Sequence, residues 1–127
     1  MHGPTYMANP LACAAANASL DLFDREPRKQ QVINIEAHLE EHLGRAKNIQ
    51  GVVDVRVKGA IGVIQLDGPM HLDWMRVQFL KRGVWIRPFR DIVYLTPALT
   101  IEDEDLQFLT RTMLEVVEEW SVMVQRK

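Results

Sequence analysis

The sequence contains very little cysteine, since Cys13 is the single one among 127 residues. One thiol excludes an internal disulfide and is compatible with a reducing cytoplasm. No apolar run approaches the roughly 20 residues that a membrane-spanning helix needs. The N-terminus also lacks the basic and apolar segments of a signal peptide. We therefore expect a soluble, cytoplasmic protein with no membrane as a partner.

The sequence also lacks an excess of charge of either sign, because its formal net charge is −2. This balance gives no electrostatic reason to expect nucleic acid or an anionic membrane as a partner. No glycine-rich stretch has the spacing of a phosphate or dinucleotide cradle. What is present is typical of a globular domain, with 47% hydrophobic and 25% charged residues.

Hydrophobic periodicity predicts alternating strands and helices in most of the chain. From Gly51 onward the order is strand, strand, helix, strand, strand, helix, and two helices precede it. This order predicts an α+β, two-layer fold in which a small sheet of about four strands has helices on one face. Val53, Val55 and Val57 are expected to face the core from the first strand, and Thr100 is expected to cap the last helix.

The N-terminal helix is apolar and rich in alanine. Asn9 and Pro10 form a strong helix start, and residues 11–23 (LACAAANASLDLF) carry small or apolar side chains on nearly every side. Such a helix is normally packed on several sides. If the chain stands alone, we expect it to self-associate or to rearrange this helix.

A single arginine lies within the otherwise apolar first strand of the predicted C-terminal hairpin. The guanidinium of Arg87, framed by Trp85, Phe89 and Tyr94, is suited to a carboxylate held by two parallel hydrogen bonds. A second interpretation is that Arg87 pairs with Asp91 or another carboxylate at the sheet edge. Spacing alone favours this second interpretation, because charged strand residues are usually paired or solvated.

Two further groups have the residue types of a metal site, but simpler explanations are favoured. His38 and His42 lie one turn apart on a predicted helix, which is a possible ligand pair. No third ligand is evident, so two surface histidines among glutamates are expected. The acidic residues 102–105 fill the first turn of the last helix, where the helix dipole favours negative charge. The sequence therefore predicts no metal centre.

Two segments resemble those of a known family. The segment HGPTYMANPLACAAANASL (residues 2–20) closely resembles the one that follows the active-site region in class III, fold-type I pyridoxal-phosphate aminotransferases. The segment GVWIRPFRDIVYLTPALTI (residues 83–101) is similar to the carboxyl-terminal segment of the biotin-pathway members of that family. The resemblance implies that residues 1–25 end the large cofactor domain and that residues 26–127 form the C-terminal small domain.

The resemblance also implies a cofactor, substrates and site residues. In the family a Gly-Pro-Thr turn binds the phosphate of pyridoxal 5'-phosphate in the neighbouring subunit of a homodimer, which implies cofactor binding by Gly3, Pro4 and Thr5. The substrate-carboxylate arginine corresponds to Arg87 and an active-site tyrosine to Tyr94. The implied reaction moves an amino group from S-adenosylmethionine to 8-amino-7-oxononanoate, giving 7,8-diaminononanoate.

The resemblance assigns no catalytic residue to this sequence. The Schiff-base lysine of the family lies upstream of the Gly-Pro-Thr turn and has no counterpart here. Because that lysine holds the cofactor and moves a proton, we expect the chain alone to be inactive. Two alternatives stay open: another ω-amino acid aminotransferase of the same class, or a non-catalytic α+β module that binds a small molecule or an interaction partner.

Overall fold

Helices and strands follow the order that the hydrophobic pattern predicts, with one exception. The computed structural model describes residues 5–125, with only the backbone described at Thr5. These residues form α1 (Pro10–Arg25), α2 (Arg28–Leu43), β1 (Val52–Lys58), β2 (Ile61–Leu66), α3 (Leu72–Lys81), β3 (Ile92–Leu95) and α4 (Asp103–Gln125). The short segment Thr5–Ala8, with positive φ from Tyr6 to Ala8, precedes α1, and a 3-10 segment at Gly44–Asn48 follows α2. The α+β class is confirmed. Among the described residues, no helix combines the length and apolarity that crossing a membrane requires.

The chain forms two compact units, Met1–Gln30 and Gln31–Lys127. In the first unit the side-chain oxygen of Asn9 accepts hydrogen bonds from the N–H groups of Leu11 and Ala12, at 3.0 and 3.4 Å. The predicted helix start is therefore confirmed. All 16 residues of α1 are exposed or half-buried. The predicted boundary between the end of a large domain and a small domain stays a prediction.

The sheet of the second unit is antiparallel, with the strand order β1-β2-β3. Ile64 lies opposite Val93, and both are fully buried on the face that carries the core. Opposite residues of antiparallel strands share a face. The other face, which we call the open face, therefore carries Val63 opposite Tyr94, and Arg56 beyond Val63.

Side chains from three helices form one apolar cluster with the core face of the sheet. Its largest fully buried members include Leu39 and Leu43 of α2, Met75 and Phe79 of α3, and Met113 and Trp120 of α4. The indole N–H of Trp120 donates to the carbonyl of Pro69 at 2.9 Å, so its buried polar atom is satisfied. This cluster fixes the sheet that supports the C-terminal hairpin.

One predicted strand is absent among the described residues, so the sheet has three strands rather than about four. Residues 84–88 run extended, with alternate side chains buried and exposed. They are joined to β3 only through a bridge between Phe89 and Ile92. The ring of Pro88 holds its φ at about −65°, whereas an antiparallel strand has a φ of about −140°, so regular pairing with β3 is disfavoured here.

Two local expectations are also wrong. Val53 is 57% exposed, because the register shifts between Val52 and Asp54 and the bulge turns its side chain away from the core. The last helix begins at Asp103, so Thr100 lies outside its first turn and does not cap it. In both cases the error concerns one or two positions in an element whose type was correctly predicted.

Candidate functional site

A tight hairpin connects the extended segment 84–88 to β3. The amide of Phe89 donates to the carbonyl of Ile92 at 2.9 Å, and the amide of Ile92 donates back at 3.0 Å. A two-residue turn lies between them. If this register continued, it would set Arg87 opposite Tyr94, but among the described residues the bridge between Phe89 and Ile92 is the one that joins the two segments.

Arg87 and Tyr94 line the same open cleft, which has a volume of about 240 Å³. Its other lining residues come from the hairpin, from the segment that follows β3 and from α4: Trp85, Ile86, Leu95, Thr96, Pro97 and Leu109. A second cleft of about 420 Å³ also has Arg87 in its wall, together with Arg76 and Leu80 of α3. The structure thus brings together the two residues that the resemblance assigns to substrate binding.

Within residues 5–125, Arg87 has no hydrogen-bond or ion-pair partner. Asp91 does not bind it, since the Oδ2 atom of Asp91 accepts a hydrogen bond from the side chain of Gln65 at 2.7 Å. The interpretation in which Arg87 pairs with Asp91 is therefore not the arrangement found here. An exposed guanidinium beside Tyr94 can hold a carboxylate or phosphate through two parallel N–H···O bonds.

The predicted aromatic frame of Arg87 is only partly present. Trp85 and Tyr94 line the cleft, whereas Phe89 is not part of its wall. The guanidinium carbon of Arg90 lies 5.3 Å from the centroid of the Phe89 ring, which is a cation–π distance. Phe89 therefore packs with the turn and not with Arg87.

A hydrogen-bonded series of polar side chains crosses the open face of the sheet and ends at the hairpin. The Nη1 atom of Arg56 donates to Asp54 at 2.5 Å and to the Oε1 atom of Gln65 at 2.6 Å. The hydrogen bond from Arg56 lowers the pKa of Asp54. Gln65 in turn binds Asp91. This hydrogen-bonded series was not predicted from the sequence. Gln65, the lone polar side chain within the apolar β2, could have indicated it.

The predicted cofactor-binding turn falls at the edge of the described part. Gly3 and Pro4 lie outside the described residues, and of Thr5 only the backbone is described, at the start of the short segment Thr5–Ala8 before α1, in which Tyr6 and Met7 have positive φ. The first free N–H groups of α1 already bind the side chain of Asn9. These N–H groups at the start of α1 are therefore already engaged within the chain.

The histidine pair of α2 is part of the contact between α2 and α4. The rings of His38 and His42 have centroids 4.1 Å apart, and Nε2 of His38 lies 3.2 Å from the hydroxyl of Thr110. In the part of the chain that the structure describes, no three His, Cys, Asp or Glu side chains come together as metal ligands. The pair thus has a structural explanation.

The sequence matches the family model for class-III aminotransferases over residues 1–117. This chain belongs to the class-III aminotransferase family. The match includes both α1 and the hairpin that carries Arg87 and Tyr94.

Individual relatives of this class-III aminotransferase chain are similar along most of its length. The adenosylmethionine-8-amino-7-oxononanoate aminotransferase of Buchnera aphidicola from Schizaphis graminum is 48% identical over 101 residues, which cover 80% of this chain and 23% of that protein. The crystal structure of the enzyme of the same name from Methanocaldococcus jannaschii superposes with a TM-score of 0.79 at 27% identity, covering 93% of this chain and 30% of that one. An (S)-enantioselective omega-transaminase from Thermomicrobium roseum superposes with a TM-score of 0.81 at 25% identity, covering 94% of this chain and 29% of that one.

This class-III aminotransferase chain spans about a quarter of the length of the curated relatives that it matches. Its fold agrees with the corresponding part of the solved aminotransferases. The family and the fold are therefore established, whereas the activity, substrates and subunit partners concern a longer protein.

Proposed function

We propose that this chain is the carboxyl-terminal portion of a pyridoxal 5'-phosphate-dependent aminotransferase of biotin biosynthesis. The complete enzyme would be a cytoplasmic homodimer that moves the amino group of S-adenosylmethionine to 8-amino-7-oxononanoate, giving 7,8-diaminononanoate. Support comes from the names of relatives at up to 48% identity. In this proposal residues 1–25 end the cofactor domain and residues 26–127 form the small domain.

The observation that carries the proposal is the exposed guanidinium of Arg87, which has no partner among the described residues and shares a cleft with Tyr94. The oxononanoate has a carboxylate at one end and its reacting carbonyl near the other. Arg87 would bind the carboxylate, and Tyr94 and Trp85 would form the wall along which the chain lies. Binding the far end of the substrate in this way orients its reacting end, which is how remote contacts serve catalysis.

Gly3, Pro4 and Thr5 would bind the cofactor phosphate of the neighbouring subunit. Pyridoxal 5'-phosphate, when bound, supplies the electron sink that transamination needs. The lysine that holds the cofactor would belong to the part of the enzyme that this chain does not span. On this proposal the chain alone contributes part of a site and is inactive.

The test is whether Arg87 recognises the carboxylate of the proposed acceptor. We expect 8-amino-7-oxononanoate to shift the NMR signals of the Trp85 indole and the Tyr94 ring in the isotopically labelled chain. Arg87→Gln should weaken this binding by roughly 10- to 100-fold, since a hydrogen bond to a charged group contributes about 1.5–3 kcal/mol. The measurement is the dissociation constant from the titration.

The matched control is Arg45→Gln, which removes an exposed arginine from the 3-10 segment Gly44–Asn48, away from the cleft. This variant should bind like the unchanged chain. The methyl ester of the acceptor serves as a second control, because it lacks the charge that Arg87 would recognise. Equal binding of the ester and the acid would contradict the proposal.

A second candidate is an ω-amino acid aminotransferase, as the likeness to the omega-transaminase of Thermomicrobium roseum suggests. Such an enzyme would also use an arginine for a carboxylate, but on a shorter substrate. Titration with β-alanine separates the two. Stronger binding of β-alanine than of 8-amino-7-oxononanoate favours this second candidate.

A further inference from the structure

Asp91 is the acidic residue nearest to Arg87 in the sequence. Both belong to the same hairpin, and the side chain of Asp91 reaches the open face, where it meets Gln65. Gln65 lies opposite Ile92, one row along the sheet from Tyr94. Neighbouring rows on one face are about 7 Å apart, which long side chains can span.

Both ends of the Gln65 side-chain amide are hydrogen-bonded, and one of them binds the carboxylate of Asp91. Its Nε2 atom donates to Oδ2 of Asp91 at 2.7 Å, and its Oε1 atom accepts from Nη1 of Arg56 at 2.6 Å. The opposite amide orientation would set an NH₂ group against the guanidinium and an oxygen against the carboxylate. Arg56 is itself held by Asp54. The positive charge of Arg56 and the negative charge of Asp91 therefore favour the amide orientation in which Gln65 donates to Asp91.

The main chain ties the same turn to the sheet. The amide of Leu66 donates to the carbonyl of Asp91 at 2.8 Å. The backbone of Asp91 is thus held next to β2 independently of its side chain. Without Gln65 the carboxylate would keep its place on the open face but lose its partner.

We propose that Gln65 is a positioning residue that keeps the carboxylate of Asp91 away from Arg87, so that the guanidinium stays available to an anionic ligand. A carboxylate in the same hairpin has a high effective concentration and would compete directly with a dissolved one. The proposal rests on the proposed function for the identity of the ligand, but the contact that it concerns can be measured without any ligand.

The test uses phenylglyoxal, a reagent that modifies arginine side chains. The rate at which it reacts with Arg87 in the folded chain is measured by peptide mapping with mass spectrometry. The variant Gln65→Met keeps the volume of the side chain but frees the carboxylate of Asp91 to pair with Arg87. We then expect Arg87 to react roughly two- to fivefold more slowly, because an exposed ion pair gives about this much protection. Asp91→Asn should leave the rate unchanged. The double variant Gln65→Met/Asp91→Asn should restore it.

Arg45 serves as the internal reference, because it is exposed in a different segment. Its rate reports whether each variant keeps the fold and is expected to stay constant. If Gln65→Met leaves Arg87 as reactive as before, or if the slower rate persists in the double variant, the positioning role of Gln65 is refuted.

The same assay separates this inference from the proposed function. Protection of Arg87 by added 8-amino-7-oxononanoate reports on ligand binding alone. If the added acceptor does not slow the reaction of Arg87 in the unchanged chain, the proposed function is contradicted. The comparison between the Gln65 and Asp91 variants does not depend on that result.

Discussion

At the scale of single residues, the partners of each arginine decide which of them can serve a ligand. Arg82, the residue that follows α3, is bound by Gln78 of α3 and by Glu115 and Glu119 of α4. It therefore joins α3 to α4. Arg87 has no such partner among the described residues and lies in a cleft. The two side chains are chemically identical, and their surroundings alone separate a structural role from a proposed binding role.

We expect His38 to make the stability of the second unit dependent on pH. The Thr110 hydroxyl donates to the Leu106 carbonyl at 3.0 Å, so it can only accept from Nε2 of His38. Burial, and then the neighbouring His42, lower the pKa of His38 below its ordinary value of 6.5, while the carboxylates of Asp103 and Glu41 partly oppose this. Below pH 6.5 the unfolded chain therefore binds more protons than the folded one, and the free energy of unfolding falls as the pH decreases.

The measurement is urea denaturation between pH 7.5 and 5.5. The chain should lose stability over this range, and His38→Gln should lose less, because the group with the lowered pKa is gone. His42→Gln should also show a weaker dependence, since it removes one of the causes. An identical slope in all three proteins would mean that His38 does not control this dependence.

At the scale of elements, close packing between α2 and β2 fixes the sheet on which the hairpin is built. Gly62 lies in the middle strand and faces the side chains of Leu39 and Leu43 of α2. A methyl group at this position would come within 2.5 Å of a terminal carbon of Leu43. Leu43 is itself fully buried, so it has little room to move. The absence of a side chain at Gly62 is what allows the helix to approach.

Gly62→Ala should therefore lower the stability by about 1–3 kcal/mol, the usual cost of overpacking a core. Gly44→Ala is the matched control, because nothing lies within 4 Å of the methyl group that it would add. It should leave the stability unchanged or raise it by roughly 0.5 kcal/mol through the unfolded state. Thermal or urea unfolding measures both, and equal effects of the two substitutions would exclude the packing argument.

At the scale of the whole molecule, the two units differ in how much apolar surface they bury. None of the residues of α1 is buried, and Leu20 and Phe23 are 65% and 56% exposed. The second unit encloses a continuous core of side chains from three helices and the sheet. An apolar helix with this exposure is a surface that favours association.

We expect the 127-residue chain to self-associate through α1. Sedimentation velocity should show oligomers at micromolar concentration, and Leu20→Gln/Phe23→Gln should shift the population to the monomer. Leu80→Gln is the control, since Leu80 is comparably exposed but lies on α3. A monomeric chain with a fully protected α1 in hydrogen exchange would rule out this expectation.

The sequence by itself determined the type and order of nearly all elements, because apolar spacing and helix caps act over a few residues. Asn9 and Pro10 predicted the start of α1, and the two segments that resemble aminotransferases predicted the family that the comparisons confirm. It also indicated Arg87 and Tyr94 as residues of interest, and their roles stay predictions.

Only the tertiary structure decided which partners the charged side chains take. Spacing alone favoured a pair between Arg87 and Asp91 or another carboxylate at the sheet edge. In the structure Asp91 instead accepts a hydrogen bond from Gln65 of β2, which is 26 residues away in the sequence. The same holds for the contact between His38 and Thr110, across 72 residues. Local patterns determine secondary structure because their interactions are local, whereas hydrogen bonds between side chains depend on strand register and helix packing, which exist only in the folded chain.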